Sequence, residues 1–122
     1  MASGRDVVRF KNDYGHLLSV AYMRLEWSCQ NECGEPWEVR GWINLQPGET
    51  QTRANPTENR WFYYYAEATD GAVWIGPYFV QVKDVKFSHC SCLGITTSAG
   101  PAPWVGMRVL DTANYAGVRF IP

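Results

Sequence analysis

Apolar and polar residues alternate with a period of two along this chain, and glycine or proline breaks the pattern every few residues. Successive side chains of a strand point to opposite faces, so this alternation specifies strands more firmly than any other local signal. The clearest case is Trp37–Leu45. There Trp37, Val39, Ile43 and Leu45 share one parity, and Glu38, Arg40, Trp42 and Asn44 share the other. Val7–Asn12 likewise sets Val8 and Phe10 against Arg9 and Lys11. No segment keeps apolar residues at i, i+3, i+4 and i+7 for three turns, and eleven glycines and seven prolines punctuate the 122 residues. Helix is thereby excluded as the main element.

The remaining strands follow from the same reading. Residues 17–27 form a long β-rich run in which Leu17, Ala21, Met23, Leu25 and Trp27 share a parity. Gln46-Pro47-Gly48 is a turn that leads into residues 49–53. Residues 60–68 are the strongest strand, with Trp61, Tyr63 and Tyr65 on one face and Phe62, Tyr64 and Ala66 on the other. Asp70-Gly71 reads as a hairpin turn into residues 72–75, and Gly76-Pro77 separates these from residues 78–82. A short run at 85–87 precedes a Ser-, Thr-, Gly- and Pro-rich loop over 88–103. Trp104–Asp111 and residues 115–121 form the last pair. About eight to ten short strands with regular turns predict an all-β chain, a single antiparallel β-sandwich or open barrel. The expected core contains Val8, Phe10, Val39, Ile43, Leu45, Val105, Met107, Val109, Val118 and Phe120. Residues 1–6 read as a flexible N-terminal segment and 7–122 as one domain, since the length leaves room for one core.

Charge and composition narrow the function classes. Eleven Lys and Arg against twelve Asp and Glu give a net charge of −1, which argues against nucleic acid as a partner. No apolar run approaches the ~18 residues of a membrane helix, and the first six residues lack the apolar stretch of a signal peptide. No Gly-rich phosphate loop, H-E-x-x-H, G-x-S-x-G or EF-hand pattern is present. Glu67 and Asp70 are the carboxylates nearest the aromatic strand, and they read as a strand-end surface group and a turn former. No catalytic residue and no cofactor are assigned, and the chain is expected not to be an enzyme. Asn55-Pro56-Thr57 fails as a glycosylation site because proline occupies its centre.

Several segments taken in order carry a resemblance. They are Val8-Arg9-Phe10-Lys11-Asn12, then Arg40-Gly41-Trp42-Ile43-Asn44-Leu45-Gln46-Pro47-Gly48-Glu49, then Arg60-Trp61-Phe62-Tyr63-Tyr64-Tyr65-Ala66-Glu67, then Asp70-Gly71 through Trp74, and finally Gly106-Met107-Arg108-Val109-Leu110-Asp111-Thr112. Over roughly residues 7–120 the chain resembles the bacterial domain family of unknown function 1036, small envelope or secreted β proteins. The resemblance implies an extracytoplasmic β domain and supplies no catalytic residue. Proteins it resembles often carry cysteine where this chain has Lys11 and again near Thr50, so a disulfide at those positions is absent here.

The four cysteines lie in two short clusters. Cys29 and Cys33 sit in a polar loop between strands, and Cys90 and Cys92 in His89-Cys90-Ser91-Cys92. Four cysteines allow three pairings. A Cys90–Cys92 bond would close a very short ring, which disulfide geometry disfavours, so pairing between the clusters is expected, at ~2–4 kcal/mol per bond. The alternative is a zinc site from all four thiolates, or from three plus His89, but C-x-C falls outside the usual ligand spacing. No metal is assigned. Disulfides place the mature protein in an oxidising compartment, secreted or periplasmic, whereas a cytosolic protein would keep its thiols reduced.

The aromatic residues carry the functional expectation. If the Trp61, Tyr63, Tyr65 face is exposed, it presents flat rings about 7 Å apart. Trp42 and Trp74 occupy positions where alternation calls for polar residues, and Arg40 beside Trp42 reads equally as a cation–π surface pair with no partner. Arg40, Trp42, Trp61, Tyr63, Tyr65 and Trp74 are therefore the candidate binding platform, the alternative being that these rings are core in a sheet covered on both sides. Exposed rings suit another protein or the apolar faces of sugars. The expected function is protein interaction or structural assembly, by a protein partner or self-assembly, with a lectin-like carbohydrate-binding module as the alternative.

Overall fold

The computed structural model describes residues 4–83, 85–91 and 103–122. The described residues are all-β apart from one short helix. Its order is β1 (Val7–Asn12), β2 (Leu18–Leu25), α1 (Ser28–Cys33), β3 (Trp37–Leu45), β4 (Thr50–Ala54), β5 (Trp61–Ala68), β6 (Val73–Trp74), β7 (Tyr78–Gln81), β8 (Phe87–Cys90), β9 (Trp104–Asp111) and β10 (Gly117–Phe120). The large sheet runs β7-β9-β5-β2-β3-β8, with β6 paired to β5, and curves into an antiparallel half-barrel. A small sheet, β10-β1-β4, lies against its outer face. Its β1–β10 pair is parallel, a departure from the purely antiparallel expectation. Parallel neighbours need a long connection, and nearly the whole chain supplies it.

Two cores result. Between the sheets, Val8, Phe10 and Phe120 pack on Leu18, Val20, Tyr22, Ile43, Leu45, Phe62, Tyr64 and Leu110. Inside the half-barrel, Ala21, Met23, Val39, Tyr65, Val80, Val82, Phe87 and Met107 fill the hollow. The central strands β2, β3 and β5 are thus covered on both faces. Strands covered on both faces lose the apolar-in, polar-out pattern of a half-exposed sheet.

A bulge in β3 decides which core receives which residue. Val20 faces Ile43 and Tyr22 faces Arg40, so Gly41 and Trp42 together oppose the single residue Ala21. One extra residue reverses the parity of everything beyond it. Trp37 and Val39 therefore join the hollow, whereas Ile43 and Leu45 join the core between the sheets. Their shared face, expected from unbroken alternation, does not exist. Glycine suits position 41 of the bulge, because a Cβ there would lie 2.7 Å from the ring of Phe87.

Other departures have local causes. Val8, Phe10, Val39, Ile43, Leu45, Met107 and Phe120 are buried as expected, while Val105 and Val118 are half-buried and Val109 is 40% exposed. β9 changes partner midway, from β7 over Trp104–Met107 to β5 over Arg108–Asp111, and Val109 lies opposite half-buried Tyr63 beyond that change. Residues 88–90, expected in a loop, extend the sheet as part of β8 on β3. Residues 92–102 of that expected loop lie outside the described residues. The Cys29–Cys33 segment is a helix rather than a loop, stopped by Gly34 at φ 79°. Residues 4–6, expected to be flexible, are tied down: Gly4 N–H donates to the Glu58 carbonyl (2.8 Å), Arg5 N–H to Thr112 Oγ1 (3.3 Å), and the Asp6 carbonyl accepts from Asn55 N–H (2.7 Å). Among the described residues no helix is long and apolar enough to cross a membrane.

Candidate functional site

The six residues of the expected platform separate into three groups. Trp61, Tyr63 and Tyr65 do share a face, but it is the inner face of the half-barrel, so the row runs from exposed Trp61 through half-buried Tyr63 to buried Tyr65. Arg60 stacks over Trp61 at 4.7 Å, anchored by a bidentate ion pair to Asp111 (2.9 and 2.7 Å). That guanidinium, with Asn114 and the Ala113 N–H, holds the Asp111 carboxyl well below the usual carboxylate range. The Tyr65 hydroxyl donates to Glu67 (3.0 Å), and burial, followed by this carboxylate, pushes the phenol up to about 12.

Trp74 is core, not surface. Its β6 strand pairs with β5 so that Trp74 lies opposite Ala66, on the face that meets the small sheet. The indole is 9% exposed and meets Tyr14 and Phe120 edge-on at 5.2 and 5.5 Å. Val73 and Ile75, whose parity had opposed it, are the exposed residues instead. The turns bordering this core are tied by Asp70, which accepts from the Tyr14 hydroxyl (2.5 Å) and lies 3.6 Å from His16. The Tyr14 bond lowers the Asp70 carboxyl and raises the phenol.

Trp42 and Arg40 do form part of one surface feature. The bulge turns the indole toward the hollow, where it makes T-shaped contacts with Tyr65 and Phe87 at 6.2 and 6.1 Å and its Nε1–H donates to the Lys83 carbonyl (2.6 Å). The half-buried ring stands between two shallow grooves. One, about 320 Å³, is lined by Ser19, Asn44, Glu67 and Lys86 beside Trp42. The other, about 350 Å³, carries Arg40, Arg53, Lys86 and Ser88 over Tyr22 and Phe87. Among the described residues the cation–π contact is Arg60 over Trp61, not the Arg40–Trp42 pair offered as one reading of the sequence.

A second surface was not anticipated. On β7 and β9, Phe79 lies opposite Gly106, and Trp104 lies two residues from Gly106 on the same face. Ile75 covers the same spot, 3.1 Å from where a Gly106 Cβ would be. Ile75, Phe79 and Trp104 are 52%, 61% and 59% exposed, beyond the end of the core between the sheets. The sequence signal was available: Val105 and Met107 facing inward leaves Trp104 facing out.

Cys29 and Cys90 are joined (S–S 2.10 Å, Cα–Cα 5.4 Å), clipping α1 to β8 as pairing between the clusters predicts. Any Cys33–Cys92 bond lies outside the described residues. Glu32 offers a carboxylate within 4.8 Å of both sulfurs, but the disulfide uses the two thiolates a metal would need. His89 stacks on Phe87 at 5.1 Å and hydrogen-bonds the Gln81 backbone, and burial lowers its basicity. No family model, curated protein or solved structure matches the chain.

Proposed function

We propose that this chain is an extracytoplasmic, non-catalytic β domain that works by assembly, with the outer face of the β7–β9 edge as its contact surface. One observation carries the reading: Ile75, Phe79 and Trp104, each more than half exposed, gather around Gly106 at one edge of the large sheet. Uncovered apolar patches mark interaction sites, and aromatic anchors at an interface centre supply most of its binding energy. β7 (Tyr-Phe-Val-Gln) also lacks the charges by which edge strands resist pairing. We assign the place to a second copy of the chain. An apolar patch on an edge strand is its own complement under a two-fold axis, and a net charge of −1 gives copies little mutual repulsion.

Further observations support the rest of the reading. The Cys29–Cys90 bond favours a secreted or periplasmic setting. Lys11 and Thr50 are directly opposed on β1 and β4, the placement a disulfide would need in the proteins resembled, which often carry cysteine at the first position and near the second. Asp111, Asp13, Asp70 and Glu38 are engaged by Arg60, Arg119, Tyr14 and Arg24, structural pairings rather than a catalytic pair across a cleft. Sedimentation equilibrium over a concentration series tests the proposal. The wild type should pass from monomer to dimer, while Phe79→Asp and Trp104→Asp remain monomeric with unchanged melting temperatures. A wild type that stays monomeric throughout overturns it.

A further inference from the structure

We infer that the two grooves flanking Trp42 form a single site for an oligosaccharide bearing carboxylates, with the indole as the stacking plane between two sugar subsites. This site shares no residue with the assembly face and stands independently of it. The indole is already fixed, by its Nε1–H on the Lys83 carbonyl and by T-shaped contacts with Tyr65 and Phe87, so stacking on it costs little ordering. A sugar offers an apolar C–H face and a rim of hydroxyls. It therefore wants a flat ring with donors and acceptors around it.

The first groove provides that rim. Ser19 and Asn44 lie side by side (3.2 Å), Lys86 donates, and Glu67, positioned by the Tyr65 hydroxyl, keeps acceptor capacity for a sugar hydroxyl. The second groove is different in charge. Arg40, Arg53 and Lys86 line it; at its rim the Glu38 carboxylate accepts from Ser88 Oγ (3.5 Å) and lies 3.9 Å from Arg40, but its nearer partner is Arg24 (3.1 Å), so the groove keeps an excess of positive charge. Guanidinium groups recognise carboxylates through paired hydrogen bonds. The carboxylate of a uronate ring thus fits the second groove, and the hydroxyl rim of the adjoining ring fits the first. At about 320 and 350 Å³, each groove has room for one sugar ring.

The test is calorimetric titration of the disulfide-intact protein with a galacturonate tetramer, a neutral glucan tetramer of equal length, and inorganic polyphosphate. The galacturonate should bind, and the glucan should bind at least about tenfold more weakly. Trp42→Ala should weaken galacturonate binding by about tenfold or more. Because Trp42 also packs on the inner core, exposed Asn44→Ala and Lys86→Ala serve as variants that preserve the fold. Both should weaken the galacturonate, and Lys86→Ala should narrow its advantage over the glucan. No galacturonate binding, equal binding of both sugars, polyphosphate binding as tight as galacturonate, or indifference to Asn44→Ala and Lys86→Ala would each overturn the assignment.

Discussion

Trp74→Ala should cost this domain about 3–5 kcal/mol, the range for removing a buried aromatic ring. The magnitude follows from where the ring sits. Trp74 is 9% exposed, on the core between the two sheets, with Tyr14 and Phe120 in T-shaped contact at 5.2 and 5.5 Å. A buried aromatic covers roughly 150–250 Å², and at ~25 cal/mol per Å² this corresponds to ~4–6 kcal/mol, an upper bound because the unfolded chain is itself partly collapsed. Removing the indole also strands Phe120, which packs further on Phe10 and Tyr64, so the loss reaches the small sheet. Small domains hold only ~5–15 kcal/mol in total. Urea denaturation with the disulfide intact reads the effect as a drop in midpoint at constant slope. Trp74→Phe should recover more than half of the loss. A Trp74→Ala loss below about 1 kcal/mol would refute the placement and return this tryptophan to the surface.

Further predictions follow from other contacts. The Cys29–Cys90 bond spans a sequence separation of 61, so Cys29→Ala with Cys90→Ala should lower stability by about 2–4 kcal/mol in urea, and an unchanged midpoint would contradict the clip. Asp111, Asp13 and Asp70 all have folded carboxyls held below their ordinary value, by Arg60, Arg119 and Tyr14 respectively. The stability they contribute is fully present above the unfolded carboxylate range near pH ~4 and is lost as pH falls through the lower folded values. Asp111→Asn should therefore flatten the acid limb of the melting-temperature profile below about pH 4, whereas an unaltered limb would show that the Arg60 pair does not couple to folding. Because Lys11 and Thr50 face each other across β1 and β4, Lys11→Cys with Thr50→Cys should oxidise to a disulfide and raise stability by about 2–4 kcal/mol, detected as a reductant-sensitive rise in the urea midpoint.

How much was legible differs from residue to residue, for physical reasons. The ends of β3 and β9 matched the alternation directly. The bulge at Gly41 and Trp42 was not legible, because an inserted residue between two apolar runs leaves no gap in a pattern whose strand is buried on both faces. That same bulge accounts for Trp42, whose misfit with alternation was read as surface exposure and is instead a change of face. Trp74 escaped because a two-residue strand has too little pattern to fix its parity, and only its pairing with Ala66 does so. The half-barrel's curl hid Tyr65 in the same way, since the strands that cover it lie far along the chain. Disulfide pairing between clusters was legible, but the choice of Cys90 for Cys29 depends on the register of β8 on β3, where Glu38 faces Cys90. Of the site residues, Arg40 and Trp42 were found through that misfit. Ile75, Phe79 and Trp104 looked like ordinary strand residues until the fold left them uncovered.

Assembly through the β7 edge is tested most directly by amide hydrogen exchange across Tyr78–Gln81 at increasing protein concentration. A strand whose outer face is covered by a second copy opens less often and gains protection as the dimer fills, whereas solvent-facing amides elsewhere do not. We predict slower exchange in the β7 peptide at high concentration, abolished by Phe79→Asp, with the turn at Gln46–Gly48 unchanged. Exchange in β7 that is the same at every concentration would contradict the account.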